Sequence, residues 1–145
     1  MPNLVHGIIQ GNIVFELKAR YRTEYHIASE VSLATQPDGT TPDVVVYPLF
    51  KLDYQHEPAK RTDAPLTCIE ITEPPLRSPS QSNEEMVAKT NIYFRFGVRS
   101  CWIVLPSLRA VAVYDNPGHY RFFYEDDSLH DATTGFEVPL TAIFA

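Results

Sequence analysis

Residues 64–105 constrain this chain most, because two apolar, β-branched runs there bracket one amphipathic helical pattern. The first run reads Ala64-Pro65-Leu66-Thr67-Cys68-Ile69-Glu70-Ile71-Thr72, and the last Ser100-Cys101-Trp102-Ile103-Val104-Leu105. Parallel neighbours cannot be joined by a short loop, so the helix is expected to be the crossover between two parallel strands. Within this unit Glu70 is out of place. A carboxylate among Cys68, Ile69 and Ile71 is costly to bury unless it is paired, protonated or bound to a metal. The following helix carries Lys89 and, one turn on, Tyr93. An acid near a strand end, facing a lysine on the next helix, marks a candidate site.

The flanking sequence predicts the rest of a sheet. Residues 4–20 place Val5, Ile8, Ile9, Ile13 and Leu17 at helical spacing, with Pro2-Asn3 as the entry. Gly7 and Gly11 each cost about 1 kcal/mol relative to Ala, which implies close packing against a neighbour. Lys18, Arg20 and Arg22 at its end either complement the helix dipole or form a phosphate-facing patch. Residues 24–33 alternate as a strand, Pro37-Asp38-Gly39 turns the chain, and Val44-Val45-Val46-Tyr47 returns as a central strand. Together they read as a hairpin. Residues 49–63 are polar and form a surface excursion. After the Glu70 strand, Pro74, Pro75 and Pro79 stiffen a loop. Ser82-x-x-Glu85 is a capping box opening the next helix, Met86, Thr90, Tyr93 and Phe94 are its apolar stripe, and Gly97 is its stop. An antiparallel meander follows to residue 124 through a Pro117-Gly118 turn. Glu125-Asp126-Asp127 reads as a solvated loop, residues 135–140 as one short strand, and Ile143-Phe144 as a tail tucked on the core. The expected class is α/β (α+β), a sheet with helices packed on it.

A chain of 145 residues with 44% apolar side chains can bury one sizeable core, which excludes a disordered protein. A formal charge of −6 argues against a dedicated nucleic-acid coat protein. It leaves room for an enzyme that touches DNA, since metal-site carboxylates themselves make such proteins acidic. No apolar run approaches the ~20 residues of a membrane span, and the N-terminus lacks a signal-peptide layout. Cys68 and Cys101, without a C-x-x-C pair, read as core thiols in a reducing compartment, so a cytoplasmic location is expected.

Asp43 opens one strand and Glu70 lies near the end of another, so both carboxylates can reach one edge of the sheet. Two carboxylates with waters make a hard oxygen site suited to Mg2+ or Mn2+. Such an ion polarises a phosphodiester and lowers the pKa of bound water, and the Lys89 ammonium would stabilise developing charge. Each member also has a plainer reading. Asp is common in turns after proline, and Glu85 with Lys89 is a routine helix pair. Thr72, Glu73, Glu85, Tyr93 and Glu30 are the supporting candidates around the three.

Three segments together resemble the Uma-type restriction endonuclease family, a domain of unknown function within the PD-(D/E)XK nuclease superfamily. They are Pro42-Asp43-Val44-Val45-Val46, Ile69-Glu70-Ile71, and Glu85-x3-Lys89-x3-Tyr93-x3-Gly97-Val98-x3-Trp102-Ile103-Val104. His6 ahead of the first apolar stripe and the closing Gly135…Leu140…Ile143-Phe144 also fit. The likeness covers nearly the whole chain, and the Lys-Tyr-Gly-Val-Trp spacing is its most specific part. It implies a restriction-endonuclease-like mixed β-sheet flanked by helices, one domain over residues 1–145. It further implies a nuclease, without naming its substrate, with Asp43 and Glu70 as the metal-binding, catalytic acids; the leading expectation is a Mg2+-dependent endonuclease cutting DNA phosphodiester bonds. A membrane is not an expected partner, and a homodimer is compatible with the sequence without being fixed by it. The superfamily lysine stands two residues after the acid; here that position is Thr72, so Lys89 would substitute. The family also usually has Ser at the position of Glu73, and a further hairpin before the first helix. These departures motivate a competing expectation, a nuclease-fold binding or partner module without catalysis. A metal-dependent hydrolase of another phosphoester fits the same residues.

Overall fold

The apolar runs around residues 45, 69 and 103 have no polar face to offer water, so each needs cover on both sides. The computed structural model, which describes residues 2–73 and 79–145 (backbone alone for 79–83), supplies that cover as three layers. β2 (Val44–Pro48), β3 (Thr67–Ile71) and β4 (Ser100–Leu105) are the middle of a six-stranded sheet. β1 (Tyr25–Ser29) closes one edge, and β5 (Ala110–Asn116) and β6 (His119–Tyr124) close the other. β3 and β4 run parallel, joined by the crossover helix α2 (Pro79–Phe96), and the other neighbouring pairs are antiparallel. α1 (Leu4–Tyr21) covers one face, packing Ile9, Ile13 and Leu17 with Val44, Ile69, Ile71 and Trp102. α2 covers the opposite face, where Tyr93 joins Val45, Cys68 and Cys101. Strand alternation does the rest: Ile69 and Ile71 point to the α1 face, and Cys68 and Glu70 to the α2 face. The two cysteines are free, buried and opposite each other across β3 and β4.

Several sequence expectations change. β1 ends at Ser29 instead of residue 33, because Glu30 adopts a left-handed φ of 55°. That turn reverses the alternation, so Leu33 and Val31 join the α2-side core while Ile27 stays on the α1 side. The buried stripe of α1 is His6, Ile9, Ile13 and Leu17, while Val5 and Ile8 are exposed. Steps of three, four and four keep one line on a helix, and positions 5 and 8 fall beside it. Asn3 is the N-cap, its side-chain oxygen accepting from the His6 N–H at 2.9 Å. Gly7 and Gly11 do not mark close packing: a Cβ at either would meet no described atom within 4 Å. β3 starts at Thr67, three residues later than the apolar run. α2 begins at Pro79, so Ser82 lies inside the helix and Ser82-x-x-Glu85 is not its capping box. The proline loop falls on residues 74–78, outside the described residues. Gly97, with φ 115°, does end α2, the Val98 N–H returning to the Tyr93 carbonyl at 3.1 Å.

The larger omission is at the C-terminal end. β7 (Ser128–Asp131) pairs with β8 (Phe136–Pro139), and with α3 (Leu140–Ile143) they seal the α1-side core through Leu129, Phe136 and Ile143. Asp131, 2% exposed, accepts from Trp102 Nε1 at 2.8 Å, Ser100 Oγ at 2.7 Å and the Thr133 N–H at 2.9 Å. It fastens the small hairpin to β4. Removing a buried acceptor strands its donors at ~1–3 kcal/mol each. Asp131→Ala should therefore lose about 3 kcal/mol in a denaturant titration, with Asn recovering part. A loss below ~1 kcal/mol would mean that water replaces the carboxylate.

Candidate active site

Glu70 is the fourth residue of β3, a strand whose five residues are all buried. Being on the α2 face, it meets that helix where Lys89 and Tyr93 stand one turn apart. The Tyr93 hydroxyl donates a short hydrogen bond to Glu70 Oε1, and Lys89 Nζ donates to Oε2 at 3.3 Å. Burial pushes the Glu70 carboxyl above its ordinary range; the Lys89 charge and the Tyr93 bond pull it back, and the Asp43 charge raises it further. The net shift is upward. The Tyr93 phenol is pushed up by its own burial and by Glu70, so it stays a donor at all ordinary pH. Lys89 differs from both in that its side chain is 41% exposed, so its ammonium reaches solvent while touching a carboxylate that is 8% exposed.

Asp43 enters from the other side of β3. It directly precedes β2, which pairs antiparallel with β3, so its carboxylate reaches the end of the neighbouring strand. Oδ2 accepts from the Ile71 N–H at 2.7 Å, and Oδ1 lies 3.1 Å from His6 Nε2. The other ring nitrogen of His6, Nδ1, lies 3.4 Å from Glu73 Oε1. Thr72 is engaged by β4, its hydroxyl donating to the Val104 carbonyl at 3.0 Å. The Glu30 N–H donates to the Asp43 carbonyl at 3.0 Å, while its exposed carboxylate turns to Gln10. Glu85 is exposed on α2, one turn before Lys89.

The structure thus brings Asp43, Glu70, Lys89 and Tyr93 to one end of the sheet, with Thr72 and Glu73 beside them. Lys89 pairs with Glu70 across the layer. His6 is the member that sequence reasoning placed only in a pattern. Its signal was the spacing 6-9-13-17, which puts a histidine on a buried apolar line. An open groove of about 1140 Å³, lined by Phe94, Arg95, Arg99 and Asn116, lies at the opposite end of β4 and contains none of these residues.

Among the described residues, no three His, Cys, Asp or Glu side chains form a group able to hold a metal ion. A cation held here would therefore use two carboxylates and complete its shell with water. That donor set suits Mg2+ or Mn2+, which keep several waters, and not a closed zinc site. The electrostatics fit as well, because a cation would offset the burial, and the smaller contribution of the Asp43 charge, that together raise Glu70.

This arrangement predicts the pH dependence of the metal-free protein. Glu70 titrates higher folded than unfolded, where its ordinary value is 4.5. Its proton thus stabilises the fold fully below that value, and the contribution is lost as pH rises through the raised folded value. In EDTA, Glu70→Gln should melt at or above the wild type at pH 7, with the difference closing towards pH 4. A Gln variant weaker by about 3 kcal/mol at pH 7 would reveal instead a structural Lys89–Glu70 pair; half-exposed Lys89 sets that figure at the low end.

The chain matches the model of the Uma2 family, described as "Putative restriction endonuclease", over residues 1–141. It is also similar to a crystal structure described as "a putative nuclease belonging to DUF820" from Anabaena variabilis. That likeness has a TM-score of 0.77 at 18% identity and covers 99% of this chain and 82% of the other. At such identity it speaks for the fold, a mixed sheet flanked by helices. No curated protein matches. Among the described residues no helix is long and apolar enough to cross a membrane.

Proposed function

Because the chain belongs to the Uma2 family, we propose that it is a nuclease hydrolysing DNA phosphodiester bonds with Mg2+ or Mn2+. In this reading Asp43 and Glu70 hold the ion, and Lys89 stabilises charge at the reacting phosphate. The observation that carries it is the buried Glu70 carboxylate, raised by burial and by Asp43, with the half-exposed Lys89 side chain beside it. When bound, the ion supplies Lewis acidity towards a phosphate oxygen and a water of lowered pKa. The remaining roles belong to the chain. Tyr93, a permanent donor, fixes Glu70 Oε1 and leaves Oε2 to Lys89 and the ion. The Ile71 N–H holds Asp43 Oδ2, so both acids are oriented from the same strand. Lys89 can reach a substrate phosphate without abandoning Glu70, and its charge acts most strongly where protein excludes water. This reading sets Asp43 and Glu70 as the two acids of a PD-(D/E)XK site. Thr72, spent on the β4 backbone, stands in the lysine position, and Lys89 supplies the ammonium from α2.

The test is incubation of the protein with plasmid and with single-stranded DNA, each with Mg2+, Mn2+ or EDTA. Cleavage that requires the metal is expected. Intact DNA in every metal condition would overturn the nuclease reading; DNA retained but uncut would favour a nuclease-fold binding module.

A further inference from the structure

Two donors hold the Asp43 carboxylate, and they come from different layers. One is the Ile71 backbone N–H of β3, at 2.7 Å from Oδ2. The other is His6 Nε2 of α1, at 3.1 Å from Oδ1. His6 is an unusual occupant of its position, since it continues the buried line of Ile9, Ile13 and Leu17 and its side chain is 7% exposed. An apolar residue there would need no polar partner, whereas a buried imidazole must find one. It finds Asp43. Its backbone is pinned too, because the N–H of His6 is the one that Asn3 caps.

We propose that His6 is a positioning residue for Asp43, fixing from α1 the rotation of the carboxylate that faces the ion. The inference rests on the metal reading given above. Its geometry is that of a ligand oriented by an outer partner. With one oxygen held by Ile71 and the other by His6, the carboxylate plane cannot turn, and each oxygen keeps one further lone pair for a cation. The ring itself does not act on substrate. Its Nδ1 is buried, outside hydrogen-bond geometry, and lies 3.4 Å from Glu73 Oε1, so the ring is held among protein groups. The side chain therefore works through Asp43.

The test is the Mn2+ dissociation constant, read from the free-ion EPR signal, for variants that separate packing from donation. His6→Leu keeps an apolar side chain on the buried line and removes the donor; it should fold, and bind Mn2+ about 10- to 100-fold more weakly, the scale of losing an outer partner. His6→Gln carries an amide nitrogen at about the reach of Nε2 and should recover most of the affinity. His6→Asn, one methylene shorter, should not. Wild-type affinity in His6→Leu would overturn the proposal, as would equal affinities in the Gln and Asn variants, a comparison that stands even if the Leu variant fails to fold. A wild type that binds no Mn2+ would instead remove the metal reading and this inference with it, so the two failures are distinguishable.

Discussion

Glu70→Gln is expected to lower DNA cleavage by on the order of 10³-fold or more in saturating Mg2+. The substitution keeps the side chain's volume and a carbonyl oxygen for Tyr93, but removes one of the two charges that would hold the ion. Losing several kcal/mol of metal-derived stabilisation corresponds to that factor, at about 1.4 kcal/mol per tenfold. Rate constants measured on a cut substrate at rising Mg2+ would check it. Saturation of the variant at near wild-type rate would place the ion away from Glu70.

The second large effect is expected at Lys89. Lys89→Met keeps the stem that packs along α2 and removes the charge. Turnover should fall by roughly 10²-fold, the scale of losing one electrostatic stabiliser. Metal affinity should change far less, and towards tighter binding, since a nearby positive charge is gone. The contact with Glu70 adds a signature that a plain surface lysine would lack. Lys89 is the largest influence lowering the Glu70 titration, so its removal raises that titration further and shifts the acid limb of the pH–rate profile to higher pH. Lys89→Arg restores charge but presents a broad fork in place of a compact donor, and should not restore full activity. Wild-type turnover in Lys89→Met would reduce the proposed site to the two acids.

Much of this geometry was legible in the sequence because it depends on local periodicity. Glu70 stood out against a run buried on both faces, and the four-residue step from Lys89 to Tyr93 already put them on one side of a helix. The parallel crossover followed from strand–helix–strand order. What was not legible depends on tertiary reach or on a single backbone angle. Glu30 looked like one more step of an alternating strand, and its left-handed φ reversed the faces beyond it. The four residues Ser128-Leu129-His130-Asp131 are too short for alternation to signal a strand, so both β7 and the buried carboxylate of Asp131 were hidden. His6 was on the correct helix and the correct line, but nothing local announces that Asp43, 37 residues on, completes it.

The central claim is that Asp43 and Glu70 share one divalent ion, and thermal melting in Mn2+ tests it most directly. At an ion concentration ~100 times the dissociation constant, the native state gains about 2.7 kcal/mol, roughly 8 °C for a domain of this size. The wild type should show that rise, and Asp43→Asn, which keeps an oxygen for the Ile71 N–H but loses the charge, should show none. An equal rise in the Asn variant would contradict the account and send the ion elsewhere, for instance to Glu125-Asp126-Asp127.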